Sequence, residues 1–535
     1  MRVLPAGDAA LLVELADLAH TLALYRALRS EALPGVRELV PAACTLLVQF
    51  EPDEVSAQTL AAAVRARARL LDGAALTATT PATTVEIPVR YEGEDLAFVA
   101  EHLGISVQEV IARHTGAPWQ AAFAGFAPGF VYLAGGHPCF ANLPRRATPR
   151  TRVPAGSVAL AGDFSAVYPT ASPGGWQLIG TTDAAMWDLA RAQPALVQPG
   201  MQVRFRRADA GHVAPAPQPT AKVHEQNMAP ALDGQAPAAI EIVNAGLQTL
   251  VQDLGRHGCA GLGISPSGAL DAPALRLANR LVGNAPDLPV LEAVLGGLAL
   301  RARGRVTLAV AGADAPLTLR AADGAAWPVR NHAPLALDDG DVLTLGAPTA
   351  GVRSYVALRG GWRVAPVLGS CSRDTLAQLG PAPLRTGDVL GVGNAPPHAC
   401  AAPQTPRPDL PRAGDTVVLD VLLGPRSDWF TPEAIALLQR QHWRVTPQSN
   451  RVGMRLAGDA PLARARHEEL PSEGTASGAL QVPASGQPVL FLADHPLTGG
   501  YPVIAVLARH HLALAAQIPV GCSLRFRVIA PFEEV

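Results

Sequence analysis

Val153-Pro154-Ala155-Gly156, followed by Asp163, Gly174-Gly175-Trp176 and Ile179, closes on Pro199-Gly200-Met201-Gln202-Val203-Arg204-Phe205. The order returns in the second half as Val482-Pro483-Ala484-Ser485-Gly486, Asp494, Gly499-Gly500-Tyr501 and Ile504, closing on Val520-Gly521-Cys522-Ser523-Leu524-Arg525-Phe526. The lead-ins match loosely: Gly129-Phe130-Val131-Tyr132-Leu133-Ala134-Gly135 stands against Gly453-Met454-Arg455-Leu456-Ala457-Gly458. A unit of roughly eighty residues exceeds the about 20–50 of a solenoid repeat. It has the size of a domain, so two related β-rich domains share one chain. On this alignment Asp163 and Asp494 take similar places.

Bulk properties narrow the function. A chain of 535 residues suits three to five domains, each able to bury a core. Charged residues make up 16% and the net charge is −2, which gives nucleic acid no basic surface to bind. Lys222 is the only lysine among 43 basic residues, so Schiff-base chemistry, a Walker lysine and biotin attachment in the folded parts are excluded. Six cysteines lie without CxxC spacing, which argues against a zinc site and a disulfide framework. The start, Met1 to Asp8, meets an acid before any signal-like apolar run, and no apolar stretch reaches about 18 residues. A soluble cytoplasmic protein is expected, with no bound metal.

Residues 1–82 alternate short apolar runs (Ala9–Glu14, Cys44–Phe50) with helical spacing (Leu18–Arg29, Ala57–Leu71), which predicts a small α+β domain. Residues 83–207 open on the strand Val85–Tyr91. A helix pair follows: Asp95–Leu103 stops at Gly104, and Ser106-Val107-Gln108-Glu109 forms a capping box. The pair resembles a helix-turn-helix in outline, but its second helix, Val107–Thr115, has one Arg and one His and is too poor in charge to read DNA. Gly/Pro-punctuated strands from Phe123 to Phe205 read as a barrel. Residues 208–238 are Ala/Pro-rich, aperiodic and read as a linker, so the chain looks like two fused proteins. Residues 239–415 form a β-rich domain with a helix over Ala272–Val282 capped by Asp271, and 416–535 hold the second barrel.

Several segments bear chemistry. Phe123 to Tyr132, with Phe126, Gly129 and Tyr132, is either a ligand-lining loop or a tight turn among core aromatics. Arg145, Arg146 and Arg150, with Arg152, form a guanidinium cluster between Pro144 and Pro154, suited to a carboxylate or phosphate, or else a solvated loop of an Arg-rich chain. An Arg146→Ala change is expected to lower substrate affinity and spare the fold. Gln252, Asp253 and Arg256, with Ser265 and Ser267 before the helix capped by Asp271, offer turns that hold an anion on backbone N–H groups or serve as plain turns and a cap. Asn450, Arg451 and Arg455 precede Glu473, and Asp494-His495 precedes Gly499-Gly500-Tyr501; acids at a strand end suit proton transfer, or else a salt-bridged rim.

Phe123–Tyr132, Val153–Gly156 and Pro173-Gly174-Gly175-Trp176 together resemble allophanate hydrolase subunit 1, the KipI family. Gln252–Arg256, Ser265–Asp271, Asn279, Asn284, Glu292, Ser472-Glu473-Gly474 and Gly499-Gly500-Tyr501-Pro502 resemble subunit 2, the KipA family. The resemblance implies a mainly β protein with a cyclophilin-like β-barrel in each half and a small N-terminal α+β domain. It further implies the B and C subunits of ATP-dependent 5-oxoprolinase joined in one chain. Such a chain opens 5-oxo-L-proline to L-glutamate with ATP, taken as its magnesium complex, and with a separate A component of the LamB/YcsF type. On it, Asp494, Glu473 and His495 would handle protons. Phe126, Gly129, Tyr132, Arg145, Arg146, Arg150, Asn450, Arg451, Arg455, Gly499, Gly500 and Tyr501 would meet substrate, and Gln252, Asp253, Arg256, Ser265 and Ser267 the nucleotide. Related domains serve the biotin-dependent carboxyltransferase of urea carboxylase, and the KipI name suggests a histidine kinase inhibitor. The chain departs from the family pattern at His495-Pro496-Leu497, at Val503 where a lysine is common, and at His510-His511.

Overall fold

The computed structural model describes residues 1–71, 83–208, 238–394 and 398–535. The expected linker falls almost wholly outside the described residues. Strands β1 (Arg2–Pro5), β2 (Ala10–Glu14), β3 (Val36–Pro41) and β4 (Thr45–Phe50) form a sheet in the order β1-β2-β4-β3. Helix α1 (Leu18–Ser30) is capped by Asp17, whose carboxylate accepts from His20 N at 2.9 Å. It buries Thr21, Leu24, Tyr25 and Leu28, the one-face spacing of an amphipathic helix. With α2 (Ala57–Leu71) it covers Leu11, Val13, Leu46 and Val48. The opposite face, Leu4, Leu12, Val40 and Leu47, packs on Ala260 and Leu497 of the second half. Burial on both faces is why β2 and β4 read as continuous apolar runs.

The first barrel comprises β5 (Thr84–Val89), β6 (Trp119–Ala124), β7 (Val131–Gly135), β8 (Arg150–Val153), β9 (Ser157–Ala161), β10 (Phe164–Val167), β11 (Ser172–Gly174), β12 (Gln177–Thr181) and β13 (Gln202–Arg207). Seven strands run β12-β9-β10-β7-β6-β13-β5, while β8 and β11 form a separate ribbon. The ends of this sheet meet at Arg90 and Thr181, which exchange N–H···O bonds of 2.8 Å each. Gly180 permits that closure, because a Cβ there would lie 2.5 Å from Arg90 O. Helices α3 (Leu96–Leu103) and α4 (Val107–Gly116) bury Val99, Val110 and Ile111 in the barrel core.

Strands β14 to β24 lie between Ala239 and Gly391 and form a six-stranded and a five-stranded sheet around one core. Helix α5 (Ala272–Leu281), capped by Asp271, packs Leu275 and Ala278 against Ala309, Tyr355 and Ala357.

The second barrel contains β25 (Thr416–Leu423), β26 (Trp443–Val445), β27 (Gly453–Ala457), β28 (Glu473–Gly474), β29 (Ala479–Gln481), β30 (Val489–Phe491), β31 (Thr498–Gly499), β32 (Val503–Leu507) and β33 (Ser523–Ala530). It closes in the order β25-β32-β29-β30-β27-β26-β33, with β28 and β31 as a separate ribbon. Strand for strand this is the first barrel's order, down to the parallel pair β13/β5 matching β33/β25. Helix α6 (Pro432–Arg440) lies between β25 and β26, and α7 (Arg509–Ala515) between β32 and β33.

The topology corrects part of the sequence alignment. Val153–Gly156 joins β8 to β9, whereas Val482–Gly486 joins β29 to β30, one connection further on. Asp163 lies between β9 and β10 and Asp494 between β30 and β31, so they are not equivalent. Asp163 accepts from Asn142 N near the surface, while Asp494 is fully buried.

Candidate functional site

Both barrels and the central sheets meet around a cavity of about 810 Å3. The first barrel contributes Phe126 and Ala127 from the β6–β7 loop, Thr170 and Ala171 from the β10–β11 connection, and Ser172 and Pro173 from β11. The second contributes the matching loops, Ser449 to Val452 before β27 and Pro496 between β30 and β31. Central residues Leu247, Gln248, Val294, Arg353, Thr375, Leu376 and Gln378 complete the wall. Phe126 and Gln378 hold φ of 66° and 57°, and Leu295, beside Val294, holds 58°. Side chains in the left-handed region cost about 1–3 kcal/mol and tend to gather at functional sites.

Behind this wall lies a buried ionic network. Arg451, 2% exposed, donates through Nε and Nη2 to Asp494 at 3.0 Å each, through Nη1 to Glu292 at 2.5 Å, and through Nη2 to Gly268 O at 2.6 Å. Asp494 also accepts from Ser267 Oγ at 2.6 Å, Thr375 N at 2.9 Å and Thr375 Oγ1 at 2.7 Å. Burial alone would raise its pKa, but Arg451 and these donors hold it below the usual carboxylate range. Every lone pair that could take a proton already faces a donor. Its geometry is that of an anchor between the second barrel and the central sheets, in place of the expected proton carrier.

Asp374, which spacing did not single out, sits beside Asp494 with Ser265 Oγ at 3.4 Å. Burial, and then the Asp494 charge, push its carboxyl up to about 7. Its Oδ1 accepts from Leu376 N at 2.9 Å and Ala377 N at 2.8 Å, so it fixes the turn that carries Thr375 and Leu376 into the wall.

Three of the four arginines of the expected anion-binding loop are neutralised within the chain. Arg146 pairs with Asp95 at 2.6 Å, Arg150 with Asp95 at 2.8 and 2.9 Å and with Glu94 at 2.9 Å, and Arg145 with Glu469 at 2.8 Å. Asp95 also takes Leu178 N at 2.8 Å, so the cluster stitches the loop to its own barrel. The acids that consume it lie more than fifty residues away in sequence, beyond the reach of local spacing.

Other expected site residues are interface residues. Tyr132 stacks on Phe123 at 4.3 Å and packs beside Phe130 and Trp176; of this loop, Phe126 and Ala127 reach the cavity. The ribbon β28/β31 inserts between the first barrel and the N-terminal sheet: Tyr132 OH lies 3.4 Å from Thr498 Oγ1 and from Ser472 Oγ, and Ala43 N donates to Ser472 O at 3.2 Å. A Cβ at Gly125 would lie 2.3 Å from Thr498 Oγ1, and one at Gly500 would lie 2.4 Å from Arg145 Nη1. The motif glycines thus let the halves approach. Gly129 donates to Leu262 O at 3.1 Å across the same junction. Glu473 is held by Arg426 through two bonds of 3.0 Å from Nε, with Glu14 of the N-terminal sheet 3.3 Å from Arg426 Nη1. Burial raises the Glu473 pKa despite Arg426.

His495 is buried and stacks on Phe491 at 5.7 Å; its Nδ1 lies 2.9 Å from Pro496 O, which fixes the proton there, and burial keeps the ring neutral. Asn450 folds its carbonyl back onto Val452 N at 2.9 Å while lining the cavity. Arg455 donates to Gln448 O at 3.1 Å away from it, and Tyr501, half exposed, faces Arg464 at 6.0 Å.

The expected nucleotide segment is a structural hub. Asp253 accepts from Gly255 N at 2.8 Å, Ser370 Oγ at 2.6 Å, Ser372 Oγ at 2.5 Å and Cys371 N at 2.6 Å. Arg256 donates to Ser372 O, and Gln252 Nε2 to Arg373 O at 2.8 Å. With Ser265 and Ser267 spent on Asp374 and Asp494, these side chains do not fit a phosphate cradle. Asp420, His510 and His511 bring ligand-type atoms within 4.8 Å of one another. However, Arg527 holds the Asp420 carboxylate at 2.6 and 2.8 Å, and Asp420 N donates to His511 Nδ1 at 2.8 Å. The six cysteines are unpaired, and among the described residues no helix is long and apolar enough to cross a membrane.

Fold and site define a protein of two matched barrels that share one junction cavity. Residues 1–197 match the family described as carboxyltransferase domain, subdomain C and D, and residues 262–528 match carboxyltransferase domain, subdomain A and B. The second half is 38% identical over 297 residues to the C subunit of 5-oxoprolinase from Escherichia coli strain K12, covering 54% of this chain and 90% of that protein. The first half is 34% identical over 220 residues to the B subunit of 5-oxoprolinase from Bacillus subtilis strain 168, covering 38% of this chain and 90% of that one. The crystal structure of TTHA0988 superposes with a TM-score of 0.82 at 35% identity, covering 97% of this chain and 99% of that chain. The chain therefore belongs to the carboxyltransferase-domain family that includes the B and C subunits of 5-oxoprolinase, with a B-like and a C-like half in one polypeptide.

Proposed function

We propose that this chain is the fused B and C component of an ATP-dependent 5-oxoprolinase, opening 5-oxo-L-proline to L-glutamate together with a separate A component. The observation that carries the reading is the cavity: a B-like half and a C-like half each supply part of one wall. A lactam is a poor electrophile. Transfer of the ATP γ-phosphoryl group to its oxygen releases ADP and activates the ring carbon. Water then adds, the ring C–N bond breaks to give γ-glutamyl phosphate, and a second water frees glutamate and phosphate. Because the side chains of Gln252, Asp253, Arg256, Ser265 and Ser267 are committed to protein partners, we place magnesium–ATP with the A component or at its contact with this chain.

The test is reconstitution. This chain, a candidate A component, ATP and 5-oxo-L-proline should release glutamate and phosphate in equal amounts. The carboxyltransferase match favours a second reading, transfer of a carboxyl group from carboxybiotin on a partner. A folded pair that shows no turnover, together with tight binding of a biotinylated carrier protein, would transfer the assignment to that reading.

A further inference from the structure

Resting on the reading that the junction cavity takes the lactam acid, we propose that Arg353 anchors the substrate carboxylate and that the cavity selects small amides bearing one free carboxylate. Arg353 stands on the central strand β23 (Ala350–Leu358), opposite Val294 of β16 (Val290–Val294), and both residues line the cavity. Its backbone is clamped across the domain junction. Gln517, which follows α7, accepts from Val352 N and Arg353 N at 2.9 Å each and donates to Arg353 O at 3.0 Å. The side chain is 11% exposed and its Nη1 donates to Ala516 O.

The rest of the guanidinium is uncommitted. Nε is buried without a hydrogen-bond partner, and Nη2 makes no hydrogen bond among the described residues. Nε is enclosed by protein, so Nη2 is the nitrogen left to meet a carboxylate oxygen from the cavity. Glu292 lies 3.8 Å from Nε, beyond hydrogen-bond reach, and is already bonded to Arg451, to Tyr355 OH at 2.9 Å and to Leu270 N at 3.2 Å. A largely buried cation with an unpartnered Nη2 is costly unless an anion completes it. Of the other candidate arginines, Arg146 and Arg150 have Asp95, Arg145 has Glu469 and Arg451 has Asp494 with Glu292, while Arg455 and Arg256 bond backbone carbonyls and do not line the cavity. Elsewhere in the cavity wall, Phe126, Pro173 and Leu376 offer apolar surface to ring methylenes, and the Asn450 side-chain NH2 offers a donor to an amide oxygen.

The test compares ligands and variants on the full chain. Calorimetry would measure 5-oxo-L-proline and 2-pyrrolidinone, the same lactam without the carboxylate, on wild type, Arg353→Lys and Arg353→Gln. Steady-state kinetics with the A component would follow. Expected results are a KM raised about tenfold in R353K and about 100-fold in R353Q, with kcat within about twofold, in line with losing charge-assisted bonds. Affinity for 2-pyrrolidinone should be weak and equal in all three. A folded R353Q with wild-type KM overturns the anchor and leaves the 5-oxoprolinase reading intact. If R353Q does not fold, equal wild-type affinity for the two lactams overturns it instead. If wild type never turns over 5-oxo-L-proline, that reading falls separately, and the anchor is decided with N-acetylglycine against acetamide. Loss of N-acetylglycine binding in R353K or R353Q supports the anchor, and unchanged binding overturns it.

Discussion

Two residues before the third strand of each barrel, the first carries Gly129 and the second Arg451. The strand order is the same, and the loops meet the same junction. Gly129 has φ 75° and donates its backbone N–H to Leu262 O, so the first barrel joins its neighbour through main chain. Arg451 threads a full guanidinium between Asp494 and Glu292, so the second joins through buried charge. One topology thus supports two kinds of junction. Residues matched by position in the barrels need not match in chemistry.

Arg451→Met tests the charged junction most severely, because it leaves Asp494 and Glu292 buried without their cation. Removing one partner of a buried pair costs about 3–5 kcal/mol. The expected outcome is early unfolding of the second half in denaturant, read by tryptophan fluorescence, with retention of the first-half transition.

A second effect separates the central domain from the first barrel by pH. The Asp374 carboxyl titrates at about 7 in the folded chain against 3.8 ordinarily. Between those values the folded state holds a proton that the unfolded state has lost, so its contribution is fully present below about 4 and is lost as pH rises through 7. At Asp95 burial is outweighed by Arg150, Leu178 N and Arg146, so its pKa is lowered and its contribution is present above the ordinary value and lost on acidification through the folded one. Asp374→Asn should therefore flatten the stability profile between about pH 4 and 7 by an amount on the order of 4 kcal/mol. Urea midpoints that keep the wild-type slope in this variant would remove Asp374 as its source.

The mildest change is at Arg146. Because it pairs with Asp95 on its own barrel, Arg146→Ala should leave KM for the substrate unchanged and lower stability by about 1 kcal/mol. That reverses the expectation drawn from the arginine cluster alone. A clear rise in KM with an unchanged melting temperature would restore the anion-binding role.

Much of the architecture was legible because strands and turns leave local marks. The alternation in Val85–Tyr91, the Ser106 capping box and the Asp271 cap lie where expected. The Val-Pro-Ala match misled for the same reason: a Pro-Gly turn is local, and the chain uses it after β8 in one barrel and after β29 in the other. The site was less legible. Arg353 and Asp374 carry no motif, and they gain their meaning from Gln517 and Asp494, more than one hundred residues away.

The two β-rich halves, the small α+β domain and the family could be read from the chain alone, since periodicity, caps and ordered motifs are written in neighbouring residues. Which charges are spent and which are open was settled by folding. Arg146, Arg150 and Arg451 meet their carboxylates inside the fold, whereas Arg353 lines the cavity with Nη2 unpartnered among the described residues. Charge acts through space, and a guanidinium's availability depends on the acids that folding brings within about 4 Å of it.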